Sequence, residues 1–331
     1  MKITVLNARQ MSDVFTMKDA IQADKDALQL YSEGKSTIPL RANLDIKKYN
    51  GQTLYMYGYA ENAKASGVKI VSVYPDNIEK GLTSVPATMI LVNCETGEVN
   101  CMMDGTHLTR IRTGAVAGAA TDILARKDSK VFALFGTGGQ AESQLEAVLN
   151  VRHIELVKVF DINKERAQTF AEKMTQKFGA KFSVKIVSAS SAADAVQDAD
   201  VITTVTTASE PVFDGSLVKK GVHINGVGSY TPAMSEIDEK IIVGASKVYV
   251  DTNDAVKESG DLIKPIKKGV FSADKITGEL GSVLSGKIQG RTSKDEMTFF
   301  ETTGSAVLDL VTAQRIYEKA VQAKIGSVIE I

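Results

Sequence analysis

The chain has 331 residues, enough for about two domains, and an ordinary soluble composition of 44% hydrophobic and 24% charged residues. A net charge of −1 and a pI near 6.4 give no basic field, which argues against nucleic acid or an anionic membrane as partner. No apolar run approaches the ~20 residues of a membrane span, and the apolar part of Met1–Asn7 is too short for a signal segment. A cytoplasmic protein is therefore expected. Cys94 and Cys101 lie in or beside strand-like segments and read as core thiols, while His107, His153 and His223 share no ligand spacing, so no metal is expected.

In chain order, residues 12 to 34 read as a helix, with Ser12 or Asp13 as cap, Val14, Met17, Ile21 and Leu28 near helical spacing, and Gly34 as the stop. Strand-like runs follow at 53–59, 67–73, 87–92 and 99–103, with Asn93–Gly97 as a hairpin turn. From about Leu108 the chain turns helical, and Gly114–Ala125 is rich in small residues suited to close packing. After that the pattern alternates. Strands near 131–135, 156–160, 184–187, 201–205, 222–225 and 247–250 are separated by helical stretches such as 164–177 and 192–197, the signature of a parallel sheet with right-handed crossovers. A last long helix spans about 304 to 324.

Within this alternation, the strand Lys130–Phe135 runs into Gly136-Thr137-Gly138-Gly139-Gln140-Ala141 and then into a helix-compatible segment. Gly136 allows the tight turn, Gly138 lets backbone approach a pyrophosphate, and Ala141 lets helix and strand pack closely. About twenty positions on, a second apolar run ends in Asp161, placed to accept hydrogen bonds from the adenosine ribose hydroxyls. A carboxylate there repels a 2′-phosphate, so NAD is expected in preference to NADP, although Lys164 or Arg166 could soften the preference. The fingerprint begins more than a hundred residues into the chain. The expected architecture is a Rossmann-type doubly wound parallel sheet domain, 116–304, inserted into an α+β substrate-binding and dimerisation domain made of 1–115 and about 305–331.

The leading segment carries cations in strand-like or apolar contexts: Arg41, Lys69, Arg110 and Arg112. Arginine offers carboxylate a planar fork, and lysine a point charge whose pKa burial can lower. Together in one cleft they would suit an α-amino or α-imino acid. Alternation puts Lys69 opposite Val68 and Ile70, so a solvated lysine is an equally good reading. Tyr55, Tyr57 and Tyr59 alternate along one sheet face or a dimer interface. Glu258, Asp261 and the Lys264–Lys268 cluster read as a solvated surface.

On Pro39–Arg41, Gly67–Lys69, Leu108–Ala115, Gly136–Ala141, His223–Gly228 with Pro232 and Glu236, and Phe300–Gly304 with Asp309, the chain resembles the ornithine cyclodeaminase/mu-crystallin family over nearly its full length. The resemblance implies a two-domain homodimer. It implies Arg41 and Arg112 as ligands of the substrate carboxylate, and Lys69 as the catalytic residue beside the reacting amine or imine. Thr303 and Gly304 would belong to the pocket wall. Cofactor contacts would come from Ser84, Arg112, Thr113, Gly136, Thr137, Gly138, Gly139, Gln140, Ala141, Asp161, Ile162, Thr204, Thr206, Asn225, Gly226, Val227 and Gly228.

One departure bears on the reaction. Tyr230 stands where the family's cyclodeaminases carry an aspartate that handles the side-chain amine of ornithine. A phenol with a pKa near 10 neither pairs with an ammonium nor readily takes its proton. The expected activity is therefore NAD(H)-dependent oxidoreduction at the C–N bond of a small amino or imino acid, as in the family's amino-acid dehydrogenases and ketimine reductases. The alternatives are ornithine cyclodeamination with catalytic NAD, and a dinucleotide-binding protein without turnover.

Overall fold

The computed structural model describes residues 1–331, and the chain folds into two compact units, Met1–Arg112 with Ser305–Ile331, and Thr113–Gly304. In the first unit, the strands are β1 (Lys2–Leu6), β2 (Ser36–Thr37), β3 (Ala42–Ile46), β4 (Gly51–Ala60), β5 (Ala65–Val73), β6 (Ala87–Val92) and β7 (Val99–Asp104). Strands β4 to β7 form an antiparallel meander. Strand β7 then pairs in parallel with β1, and β1 pairs antiparallel with the returning strand Ser327–Glu330. The Asn93–Gly97 turn joins β6 to β7, its Asn93 Oδ1 accepting from the N–H groups of Glu95 and Thr96.

The region expected as one helix from residue 12 is two, Ala8–Val14 and Met17–Ser32. Asn7 and Thr16 each close a capping box, with Gln10 and Asp19 respectively, so Ser12 and Asp13 lie inside the first helix rather than at its start. Each cap contributes about 1 kcal/mol, and the second restarts the helix after the extended Phe15. The helix Ala306–Ala323 lies against the meander: Ala306 joins Leu54, Met56 and Val71 in one apolar cluster. On its other side it meets the helix Met17–Ser32, where Lys319 pairs with Asp19 and Arg315 with Asp26.

The helix Gly105–Leu124 leads into the second unit, whose strands are β8 (Val131–Phe135), β9 (Leu156–Phe160), β10 (Lys185–Ser188), β11 (Val201–Thr204), β12 (His223–Gly226), β13 (Lys247–Val250), β14 (Gly278–Glu279) and β15 (Thr298–Glu301). They form one sheet in the order β10-β9-β8-β11-β12-β15-β13-β14, parallel throughout. This is the doubly wound parallel sheet that the alternation implies. Two apolar clusters flank it, one around Phe135, Phe213 and Ile241, the other around Leu145, Val148 and Phe178. Strand order reverses between β8 and β11, and in open sheets of this kind ligands bind outside the carboxyl ends at that point.

Candidate active site

In the first unit, Lys69 lies on β5 with Val71 on the same buried face, and its cross-strand neighbours are Met56 and Met89, both buried. It is 0% exposed, which overturns the solvated reading. The face opposite Val68 and Ile70 is the one that the helix Ala306–Ala323 covers. From that helix Asp309, also fully buried, accepts hydrogen bonds from Lys69 Nζ at 2.7 Å on both carboxylate oxygens. Arg112 Nε stands 2.9 Å from Asp309 Oδ1, off the line of its own N–H, so that donor keeps its hydrogen-bonding capacity.

These charges set the lysine's chemistry. Burial pulls its pKa down to about 7, Arg112 and Arg41 push the same way, and Asp309 opposes them. Arg41, in the loop before β3, is thus close enough for its charge to act on Lys69, while Arg110 is exposed on its helix. A second buried acid, Asp24, accepts from the Thr312 hydroxyl at 3.0 Å and leaves Oδ2 without a partner. Burial lifts its pKa well above the carboxylate range, against the pull of Arg112. Ser84, also in this unit, precedes β6 and receives the N–H of Tyr74 on its carbonyl at 2.8 Å. Asp309 stands among the residues that carry the family resemblance, but the sequence reading gives it no role; its further signal is to be a lone acid within the apolar run Ala306–Ala313.

In the second unit, the turn after β8 has the shape a pyrophosphate needs. Gly136 sits at φ +97°, and a Cβ there would lie 2.7 Å from the Val205 carbonyl oxygen, so only glycine fits. Gly138 and Gly139 border open space. The helix Ala141–Val151 begins at Gln140 with no side chain capping it; Ala141 donates its N–H to the Gly138 carbonyl at 3.1 Å, and the following N–H groups of the first turn are left for an anion. Thr137 donates its N–H at 3.1 Å and its hydroxyl at 2.6 Å to Asp161 Oδ2, and Asn163 N–H donates to Oδ1 at 2.9 Å. The acid at the end of β9 is thereby held beside the glycine turn, with acceptor capacity left for ribose hydroxyls. The next residue, Ile162, is 96% exposed. Thr113, on the helix leading in, takes the Gln144 side chain on its carbonyl at 2.9 Å.

Other expected contacts have side chains committed elsewhere. Asn225 is fully buried between β11 and β15, donating to Thr121 and Thr203 at 3.1 and 3.2 Å and meeting His223 Nε2 at 3.0 Å, so its side chain is not left for a ligand. A Cβ on Gly226 would fall 2.4 Å from Glu301 Oε2; it packs against that acid. Val227 donates its N–H to the Thr204 carbonyl at 3.1 Å. The side chain of Thr204 and the backbone N–H groups of Thr206 and Gly228 all bind Glu236, a buried acid whose pKa burial raises to about 7. Thr303 donates to Glu258 at 2.9 Å and Gly304 N–H to Asp251 at 2.9 Å, closing the unit after β15. Asp261, read as surface, is fully buried: its Oδ1 accepts from Ser235 and from the backbone N–H groups of Glu236 and Ile237. Cys94, read as a core thiol, is exposed; Cys101 is buried, and both are free.

A buried lysine near two arginines and an acid thus stands on a chain that also carries the glycine turn after β8. The family model described as ornithine cyclodeaminase/mu-crystallin matches residues 1–324. The chain belongs to that family. Within it, the Δ1-pyrroline-2-carboxylate reductase of Bacillus thuringiensis subsp. konkukian is 39% identical over 327 residues, covering 98% of this chain and 99% of the relative. The structure of the Thermococcus litoralis Δ1-pyrroline-2-carboxylate reductase in complex with NADH and L-proline superposes with a TM-score of 0.93 at 40% identity, covering 98% of this chain and 99% of that one. An archaeal alanine dehydrogenase dimer with bound NAD superposes with a TM-score of 0.91 at 33% identity over the whole of both chains.

Proposed function

We propose that this member of the ornithine cyclodeaminase/mu-crystallin family is an NAD(H)-dependent reductase of a five-membered cyclic α-imino acid, of the Δ1-pyrroline-2-carboxylate class. The observation that carries this reading is Lys69, paired to Asp309 in a methionine-lined sheet face, where burial above all, and then Arg112 and Arg41, bring its pKa down to about 7. Reduction of a C=N bond needs a carboxylate anchor, a proton for nitrogen and a hydride for carbon. Arg112 and Arg41 would anchor the carboxylate, whose planar pair of oxygens matches a guanidinium fork. Lys69 in its ammonium form would hand one proton to the imine nitrogen and end as neutral amine, and Asp309 would keep Nζ aimed and stabilise its charge. NADH, when bound, would supply the hydride. The Gly136–Ala141 turn would hold the pyrophosphate, Asp161 the adenosine ribose, and the backbone after β11 and β12 the nicotinamide half, with Ser84 and Thr113 adding contacts and Thr303 and Gly304 walling the pocket. A homodimer formed through the outer sheet face, where Tyr55, Tyr57 and Tyr59 are exposed, completes the proposal.

Absorbance at 340 nm tests the reaction. With NADH, the five-membered cyclic imine should be consumed faster than a six-membered one or pyruvate plus ammonia. Ammonia release from L-ornithine at constant absorbance would instead make the protein a cyclodeaminase, and tight NADH binding without any turnover would make it a binding protein. A strong preference for pyruvate plus ammonia would favour alanine dehydrogenation, the activity named for the archaeal relative.

Cofactor preference follows from Asp161. Replacing it by serine removes the negative charge that opposes a 2′-phosphate, and the ratio of kcat/KM with NADPH to that with NADH should rise about tenfold or more, 1.4 kcal/mol in transition-state terms. A wild-type enzyme that prefers NADPH would remove Asp161 from the ribose.

A further inference from the structure

Three donors from two loops converge on one carboxylate that the proton chemistry does not use. Glu236 is fully buried; its Oε1 accepts from Thr206 N–H at 2.5 Å, and its Oε2 accepts from Gly228 N–H at 2.6 Å and the Thr204 hydroxyl at 3.1 Å. Thr204 and Thr206 end and follow β11, and Gly228 follows β12, its neighbour in the sheet. The approach is close. A Cβ on Gly228 would lie 2.5 Å from Glu236 Oε2 and 2.3 Å from the Thr206 carbonyl oxygen. Glu236 is itself anchored, donating its N–H to Asp261 Oδ1 at 2.7 Å and receiving Val212 N–H on its carbonyl at 2.8 Å.

In a doubly wound sheet, a dinucleotide lies across the carboxyl ends, one mononucleotide on each side of the point where strand order reverses. Here β8 and β9, with the glycine turn and Asp161, take one half, and the loops after β11 and β12 face the other. We propose that Glu236 is a positioning residue for the nicotinamide half of the cofactor: by accepting from both loops at once it fixes their spacing, and so the depth and tilt of the ring, without touching it. This inference rests on the reading of the chain as an NAD(H)-dependent oxidoreductase. The chemistry asks for a carboxylate rather than an amide. All three neighbours donate, and a glutamine would turn an N–H against one of the two backbone N–H groups.

The test compares NADH with ADP-ribose, which lacks the nicotinamide ring, on wild type, Glu236→Gln and Thr204→Val. In Glu236→Gln, ADP-ribose affinity should stay within about twofold of wild type, whereas NADH affinity and kcat at saturating NADH should each fall about tenfold, 1.4 kcal/mol. Thr204→Val removes one of the three donors and should move NADH affinity and kcat the same way by less; it carries the test if Glu236→Gln does not fold. Equal weakening of both ligands would assign Glu236 to general stability, and unchanged NADH affinity and kcat would show the loops hold their spacing without it; either result overturns the inference. A wild-type protein that binds neither ligand would overturn the dinucleotide reading itself, a failure distinct from both.

Discussion

Replacing Lys69 by methionine should lower kcat/KM for imine reduction by between a hundredfold and ten-thousandfold, roughly the range that a positioned proton donor contributes. NADH affinity should remain within about threefold of wild type, because the residues proposed to hold the dinucleotide lie almost entirely in the other unit. Methionine fills the space between Met56 and Met89 without placing a charge there. Its cost falls on Asp309, which loses its hydrogen-bonding partner in a fully buried position. Breaking a buried pair in this way costs about 3–5 kcal/mol, and Arg112 at 2.9 Å offsets part of it. A lower melting temperature is expected alongside lost turnover. Single-turnover absorbance at 340 nm, NADH fluorescence titration and thermal melting separate the three effects. A folded Lys69→Met enzyme with near wild-type turnover would remove Lys69 from the chemistry.

The second large effect is on the pH profile. In the proposed mechanism imine reduction needs the ammonium form of Lys69, and burial brings that group's pKa down to about 7. The sign follows directly: kcat/KM for reduction is full below pH 7 and falls as pH rises through it, whereas amino-acid oxidation needs the neutral amine and rises over the same interval. Asp309 is the one partner that raises the lysine's pKa, through its charge and its two hydrogen bonds. Asp309→Asn should therefore move both limbs to lower pH, by about one unit or more, since each unit corresponds to about 1.4 kcal/mol. At pH 8 the variant should be the more impaired enzyme in the reductive direction. A limb that stays near 7 in Asp309→Asn belongs to the substrate or another group, and Lys69 would not be the acid.

The parallel sheet is legible in the sequence because strands covered on both faces read as continuous apolar runs, as Val131–Phe135 does. The glycine turn and Asp161 are legible because local order alone defines them. The environment of Lys69 is not. A period of two divides β5 into two faces without saying which is covered, and the cover comes from Ala306–Ala323, far along the chain. Asp261 fails for a related reason. It looks like any acid at a helix start, while the N–H groups it accepts belong to residues 236 and 237. Strand β3 gives no signal, since almost every side chain on it is exposed. Asp309 and Glu236 stand in the quoted motifs, but a motif names residues without saying which donors will meet them.

Lys69 and Asp309 are 240 residues apart. The sheet that holds the lysine can acquire its covering helix only after the whole of Thr113–Gly304 has been synthesised, a delay of roughly 10–40 s at ordinary translation rates. During that interval the methionine face of β4, β5 and β6 lies open around a lysine with no counter-ion, while the later unit has every segment it needs to fold. Maturation should thus run against the direction of synthesis, with the amino-terminal unit last to close and most dependent on chaperones in the cell.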